Sequence, residues 1–227
     1  MTPARRTVRP TGALGLAGPP TLPTRYPRGV VRTVAAGTEL RRIYVPPPAG
    51  YTPSATAFRT DGPRARFDHH RRPGPFPQAA EDPSRGIFYA AEAFGCCVAE
   101  FWGDDWLITP GPARLAVLRA DRELQLLSLM GSDATAVGTL AAVTMDGDRH
   151  VTQDWGRHWY EHPQFQALHG IRFPSSHTSQ PACAFWERAA GAFTVLFDEP
   201  VLSPAVLPDL LVTASALGIT VLGTLPS

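Results

Sequence analysis

The chain has 227 residues, which is enough for one sizeable domain with a buried core and too few for two comfortable ones. Apolar residues make up 44% of it and charged residues 18%, a composition typical of a globular protein rather than a disordered one. The formal net charge of +1 argues against a general nucleic-acid-binding protein, because such domains are strongly basic.

Residues 1–36 are rich in proline, glycine, threonine and arginine and show no hydrophobic periodicity. They predict a flexible or loosely wrapped arm, whose positive charge either faces solvent or contacts a partner or the chain's own pocket. The run Gly12–Gly18 is too short for a secretory signal, and no stretch reaches the ~20 apolar residues of a membrane span. We therefore expect a cytoplasmic protein that does not enter membranes. The arginines of the arm include Arg5, Arg6, Arg9, Arg25 and Arg28.

The folded unit is predicted to span residues 37–227. Its first half combines short strands, a basic loop and one helix whose apolar residues recur at helical spacing. We predict strands at Glu39–Val45, Thr56–Arg59 and Gly86–Ala90, a surface loop at Arg64–Pro77 and a helix at Ala91–Trp102.

The second half continues with strands and helices in mixed order. We predict strands at Arg114–Arg119, Glu123–Leu129, Gly170–Phe173, Ala182–Glu187, Phe193–Phe197 and Ile219–Leu222. Helices are predicted from Ser132 or Asp133 to about Thr144, at Val151–His162 and at Pro204–Leu217, the last one ended by Gly218. Because strands and helices are intermixed without strict alternation, the predicted fold class is a single mixed α+β domain.

Several well-known site motifs are missing from the sequence. It has no glycine-rich dinucleotide fingerprint, no P-loop and no Gly-x-Ser-x-Gly elbow. His158 and His162 lie one predicted helical turn apart and could present two nitrogens to a metal, but no third ligand accompanies them, so we expect no metal. Cys96, Cys97 and Cys183 lie in apolar segments, and we expect free, buried thiols in a reducing compartment.

Four segments, taken in order, resemble the RES-domain family over residues 38–198. They contain an arginine before an aliphatic residue on the opening strand, an arginine–aromatic motif, an aromatic strand followed by a helix glutamate, and a Pro-Ser turn. The segments are Leu40–Ile43, Arg64–His70, Arg85–Ala91 with Glu100, and Gly170–Ser176 followed by Cys183–Arg188. Within the second segment, Arg64-Ala65 and Asp68 stand where many members carry two glycines and an asparagine.

The resemblance implies a fold similar to that of ADP-ribosyltransferases, with split sheets and flanking helices, and an activity that degrades NAD as substrate without a further cofactor. Many members are toxins neutralised by a helix-turn-helix antitoxin, so the resemblance also implies such a protein partner. It gives catalytic roles to Glu100, Tyr89 and Ser175 and substrate-binding roles to Arg42 and Arg66. Only one of the adjacent Arg41 and Arg42 can face a pocket from a strand, and the alignment favours Arg42.

These residue types suit cleavage of the nicotinamide–ribose bond, which builds positive charge on the ribose. A carboxylate such as Glu100 would stabilise that charge, and arginine forks would hold the pyrophosphate. Tyr89 would stack on or hydrogen-bond the nicotinamide ribose, and Ser175 would bond the carboxamide or Glu100, with Ser176 or His177 replacing it if the loop is shifted by one. Each residue taken alone also fits a structural role.

The acceptor stays open at this point, since water, inorganic phosphate and a macromolecule are all compatible with the residues. Two alternative functions stay open as well. One is an ADP-ribosyltransferase acting on a protein or nucleic acid, and the other is a non-catalytic module that binds a partner. No direct nucleic-acid binding is expected from the balanced charge.

Overall fold

The structure is a computed structural model, and it describes residues 16–20, 25–46, 54–71, 79–109, 111–145 and 148–222. The described part contains strands and helices in mixed order, as the sequence predicted. The strands are β1 (Val31–Val34), β2 (Glu39–Tyr44), β3 (Asp61–Gly62), β4 (Ala80–Glu81), β5 (Ile87–Ala91), β6 (Leu107–Ile108), β7 (Arg114–Ala120), β8 (Leu124–Ser128), β9 (Gly170–Pro174), β10 (Pro181–Trp186), β11 (Phe193–Pro200) and β12 (Thr220–Val221). The α-helices are α1 (Phe94–Trp102), α2 (Asp133–Ala136), α3 (Arg149–Glu161) and α4 (Leu207–Leu217).

Eight of these strands form one sheet in the order β1-β8-β9-β10-β5-β2-β7-β11, and two small sheets pair β12 with β6 and β3 with β4. Neighbours in the large sheet are antiparallel except for the β8–β9 pair. Strands β2 and β5 are joined by a single pair, Arg41 opposite Ala91, so the sheet consists of two halves that separate beyond this point. Two residues further along β2, the backbone N–H of Ile43 donates to Sγ of Cys97 on α1, at 3.1 Å, and not to a residue of β5.

The two faces of the sheet bury separate cores because side chains alternate along each strand. Ile87 and Ala91 of β5 belong to the larger core, which also takes the buried residues of α1, α3 and α4. Phe88 and Ala90 belong to the smaller core on the opposite face. The helices therefore lie on the face of β5 that carries Tyr89, and that face is where the site is built.

The predicted single mixed α+β domain is confirmed, and so are most predicted elements to within a few residues. The helix predicted up to Thr144 is wrong in its second part. Helix α2 ends at Ala136, and Gly138 follows with φ of 86°, a left-handed conformation that stops an α-helix. A short 3-10 helix covers Ala141–Thr144. The predicted cap of the last helix, Gly218, is confirmed in the left-handed conformation.

Part of the predicted arm is folded. Residues 31–34 form the edge strand β1, paired with β8, and the side chains of Leu16 and Tyr26 are buried against the larger core. Tyr26 Oη lies 2.7 Å from Nε2 of His158, and the indole of Trp155 donates to the Ala17 carbonyl at 2.9 Å. Residues 16–20 and 25–34 thus lie against α3 and β8. Arg5, Arg6 and Arg9 lie outside the described residues.

None of the helices in the described part of the chain has the length and apolar character needed to cross a membrane. His158 and His162 face the Tyr26 ring, with ring centroids 6.1 and 5.1 Å from it. Within the described ranges no group of three side chains is arranged to hold a metal ion.

Candidate functional site

Arg66 lies on a tight turn between β3 and β4 that a buried carboxylate organises. Oδ2 of Asp68 accepts hydrogen bonds from the backbone N–H groups of Arg64 and Ala65, at 2.6 and 3.0 Å, and from Nη2 of Arg59 at 2.6 Å. Asp68 is fully buried. A carboxylate bonded in this way satisfies its charge inside the protein and fixes the turn that carries Arg66.

Tyr89 is connected to the same turn. It lies on β5, and its hydroxyl donates to Oδ1 of Asp68 at 2.9 Å while accepting from the backbone N–H of Phe67 at 3.2 Å. Burial, followed by the nearby Asp68 charge, raises the pKa of Tyr89 well above its ordinary value. The hydroxyl therefore stays protonated at physiological pH, and its proton is directed at Asp68.

Glu100 lies at the end of the second turn of α1, a helix with no charged side chain in its first turn. Its Oε1 atom is buried and has no hydrogen-bond partner among the described residues. One turn earlier on the same face of the helix, Sγ of Cys96 lies 3.8 Å from the carbonyl oxygens of Gln180 and Pro181, where the loop after β9 ends. Glu100 and the loop after β9 therefore lie on the same side of α1. The three cysteines are free and buried, as predicted.

Ser175 begins this loop and is fully buried. Its Oγ accepts from the backbone N–H groups of His177 and Thr178, at 3.2 and 3.3 Å, which is the geometry of a serine-stabilised turn. The neighbouring Ser176 contacts the Arg66 turn instead, because its Oγ accepts from Nη1 of Arg66 at 3.1 Å. Of the two loop alternatives, Ser176 is therefore the residue that touches Arg66.

These contacts bring four of the five sequence-predicted residues into one region. Tyr89 is bonded to the Arg66 turn, Arg66 is bonded to the Ser175 loop, and the end of that loop contacts Cys96, one helical turn before Glu100. Like Oε1 of Glu100, Nε of Arg66 is buried without a hydrogen-bond partner among the described residues. Buried polar atoms are normally paired, so an unpartnered carboxylate oxygen and an unpartnered guanidinium nitrogen in one region indicate a place for a polar ligand.

Arg42 does not belong to this region. It lies on the β2 face of Leu40 and Tyr44, whose side chains are in the smaller core, whereas Tyr89 faces the larger one. Its Nη1 donates to the carbonyls of Ala55 and Ala57, at 2.7 and 2.9 Å, and its guanidinium lies 4.8 Å from the Phe88 ring centroid. Burial lowers the pKa of Arg42 to about 10.

The adjacent Arg41 points to the other face of β2, as the alternation along a strand requires. Its partner across the sheet is Ala91, which belongs to the larger core with Tyr89. Nη1 of Arg41 donates to the backbone carbonyl of Glu92 at 2.9 Å, just before α1 begins. Of the two neighbouring arginines, it is Arg41 that shares the face of the candidate site.

The sequence analysis missed a polar group at the end of α1. Oδ1 of Asp104 lies 3.3 Å from Nε2 of His177, and its Oδ2 accepts from Nη2 of Arg149 at 3.0 Å. Arg149 also donates to the Arg64 carbonyl, at 3.2 Å. These exposed contacts connect α1, α3, the Arg66 turn and the Ser175 loop around the region. No local sequence pattern announces them, because the residues are far apart in the chain.

A family model described as the RES domain matches residues 39–203, which is most of the chain. Among solved structures, a chain of the crystal structure of the M. tuberculosis MbcT–MbcA toxin–antitoxin complex is similar in fold. It has a TM-score of 0.51 and 17% sequence identity, with 78% of this chain and 91% of that chain covered. Comparison with curated protein sequences gives no match.

Proposed function

The chain belongs to the RES-domain family, and from that premise we propose that it cleaves the bond between nicotinamide and ribose in NAD. The observation that carries the proposal is a pair of buried atoms on oppositely charged groups, Oε1 of Glu100 and Nε of Arg66, for which the described part of the chain offers no hydrogen-bond partner. A dinucleotide offers both partners, a ribose that becomes cationic and a pyrophosphate that is anionic.

Glu100 stabilises the reacting ribose in this proposal. When the C1′–N bond breaks, its electron pair leaves with the nicotinamide nitrogen, which becomes neutral, and C1′ takes on oxocarbenium character. A buried carboxylate oxygen that has no partner among the described residues is free to face that charge, and a carboxylate already in place costs no reorganisation when the bond breaks. An acceptor oxygen then bonds to C1′, and its proton passes to solvent or to Glu100.

Arg66 binds the pyrophosphate, since a guanidinium presents several donors to phosphate oxygens and stays charged in a pocket. Ser176 orients it through the Nη1 bond. Tyr89 contributes the face of its ring, and Ser175 shapes the turn that brings Ser176 to Arg66. We assign Arg42 a structural role, because it lies on the face of β2 opposite to the site and its Nη1 is bonded to the Ala55 and Ala57 carbonyls.

We propose further that the protein is the toxin of a toxin–antitoxin pair, with NAD loss as the toxic effect and a helix-turn-helix protein as the neutralising partner. Family membership and the fold shared with the toxin–antitoxin complex support this. Expression of the wild-type chain should stop growth and deplete NAD, and expression of a Glu100→Gln variant should do neither. Growth arrest that persists in the variant would contradict NAD loss as the cause.

The direct test is incubation of the purified protein with NAD, with and without inorganic phosphate, reading nicotinamide release and the ribosyl product. Free ADP-ribose would identify water as the acceptor, a phosphorylated product would identify phosphate, and a labelled macromolecule would identify a transferase. A wild type that releases no nicotinamide under any of these conditions would overturn the proposal.

Glu100→Gln should lower nicotinamide release by about 100-fold or more, as loss of one charge-stabilising group does in other enzymes. The matched control is Glu92→Gln, just before α1, because Glu92 is exposed and its carboxylate pairs with Arg172 at 3.2 Å. That control should keep wild-type activity. Full activity in Glu100→Gln would exclude the mechanism.

A further inference from the structure

We infer that Asp68 is the positioning residue of this site, a single buried carboxylate that sets both Arg66 and Tyr89 for the dinucleotide. The inference rests on the proposed function and adds to it a residue that does not touch the substrate. Asp68 gathers four hydrogen bonds from three separate parts of the chain, namely the Arg64–Ala65 backbone, the Arg59 side chain and the Tyr89 hydroxyl.

The first consequence concerns the backbone of Arg66. The residue before it, Ala65, has its N–H bonded to Asp68, and the residue after it, Phe67, has its N–H bonded to the Tyr89 hydroxyl. Since that hydroxyl is itself held by Asp68, both neighbours of Arg66 are fixed by the same carboxylate. A preorganised guanidinium loses less freedom on binding a phosphate than one on a loose turn.

The second consequence concerns the role of Tyr89. Its hydroxyl proton is given to Asp68, and a lone pair of its oxygen accepts from Phe67. The hydroxyl is thus a tether and not a proton donor to the leaving group or the ribose. What Tyr89 offers to a ligand is the face of its ring, held at a fixed distance from Arg66.

Arg59 makes this arrangement compatible with an anionic ligand. Its guanidinium pairs with Asp68 at 2.6 Å and also donates to the Asp61 carbonyl, and its backbone pairs with Ile87 of β5. The ion pair neutralises the carboxylate, so that Asp68 holds Arg66 in place without cancelling its attraction for a phosphate. The positioning device is therefore anchored to the sheet.

The test is Asp68→Asn, which keeps the size of the side chain but removes the charge and one acceptor. We expect the KM for NAD to rise about tenfold while kcat changes by less than about threefold, because ground-state binding is what positioning improves. The same variant should weaken NAD binding about tenfold on the inert Glu100→Gln background, measured by calorimetry. The matched control is Asp82→Asn, a buried carboxylate that accepts from the Arg71 N–H and Ser84 Oγ outside the site.

A double-mutant cycle separates positioning from general stability. If Asp68 acts through Arg66, Asp68→Asn should add less than about threefold to KM once Arg66→Ala is present, because the group it orients is gone. The inference would be overturned if the KM increases of Asp68→Asn and Arg66→Ala multiplied in the double variant. It would also be overturned if Asp68→Asn changed KM no more than Asp82→Asn does. In both cases the proposed function would stand. A wild type that neither binds nor cleaves NAD would overturn both.

Tyr89→Phe keeps the inference testable if Asp68→Asn fails to fold. It removes the tether and retains the ring, so kcat and the shape of its pH profile should stay as in the wild type, with a rise in KM of a few fold. Loss of one limb of the pH profile, together with a large fall in kcat, would make the hydroxyl a proton donor and exclude the tether.

Discussion

Arg42 and Arg66 carry the same charge but differ in the hydrogen-bond partners that the protein gives to their guanidinium groups. Nη1 of Arg42 donates to two backbone carbonyls, Ala55 and Ala57, and the guanidinium lies over the Phe88 ring, so this nitrogen is used within the protein. Arg66 has Ser176 on one nitrogen and no partner for Nε among the described residues. An arginine that holds two carbonyls in place stabilises the fold, whereas one with a buried, unpartnered nitrogen is available to an anion.

Alanine at each position should therefore give a different result. Arg42→Ala leaves two carbonyls without their donor and should lower the free energy of unfolding by about 2–4 kcal/mol. Arg66→Ala should leave the unfolding midpoint nearly unchanged and raise the KM for NAD about tenfold or more. Urea unfolding and steady-state kinetics on both variants check this. An Arg42→Ala variant of normal stability with a large KM effect would return Arg42 to direct phosphate binding.

Helix α3 supports the Arg66 turn from behind. Gly156 lies against the backbone of Phe67, where an added Cβ would meet the Phe67 carbonyl oxygen at 2.8 Å and its carbonyl carbon at 3.1 Å. Nε2 of Gln153, one turn earlier, donates to the Ala65 carbonyl at 3.1 Å. The close approach of helix and turn depends on the absence of a side chain at position 156.

Gly156→Ala should consequently be destabilising, by about 1–3 kcal/mol, although glycine to alanine in a helix is ordinarily stabilising. Displacement of the Phe67 backbone should also raise the KM for NAD. The matched control is Gly95→Ala in α1, where the added Cβ would have only Thr213 Cγ2 nearby, at 3.7 Å. That control should be neutral or stabilising by up to about 1 kcal/mol. Thermal unfolding of both variants measures the two changes in stability. A change of the same sign in both variants would contradict the steric argument.

The elements differ in how well local sequence determines them. Strands such as Glu39–Tyr44 and Ile87–Ala91 were predictable because apolar and aromatic residues mark them, and α4 was predictable up to its glycine cap. Strand β1 was missed because its central residues, Arg32 and Thr33, are exposed at the sheet edge and have the same polar composition as the arm residues before them. Edge strands bury too little to leave a hydrophobic pattern.

The site was predictable only in part, for a related reason. The resemblance named the residues of the region around Arg66, but which face of β2 carries each arginine depends on the register with β5 and β7. The role of Asp68 likewise depends on Arg59 and Tyr89 reaching it from other segments. Contacts between distant segments are set by tertiary packing, and no local spacing encodes them.

At the scale of the whole molecule, buried histidines link the folded state to pH. Burial lowers the pKa of His69, His70, His158 and His169 below the ordinary value of 6.5. The first two are fully buried, and His158 holds Tyr26 of the N-terminal segment against α3. The folded chain therefore favours neutral imidazoles just after the Arg66 turn, at His69 and His70, and on α3 where His158 contacts Tyr26.

Stability should fall as the pH drops below about 6.5, because the unfolded state then binds protons that the folded state resists. The stabilisation is complete above the unfolded pKa and is lost as the pH falls to the lowered pKa values of the folded state, by at most about 1.4 kcal/mol per pH unit for each histidine.

Urea unfolding between pH 7.5 and 5.0 measures this change in the free energy of unfolding, in a range that lies above the titration of ordinary carboxylates. The slope should persist in high salt, since burial causes it and screening does not remove burial. His158→Gln should make the slope shallower by up to one proton. A stability that is flat over this range would mean that the histidines are protonated as easily in the folded chain as in the unfolded one.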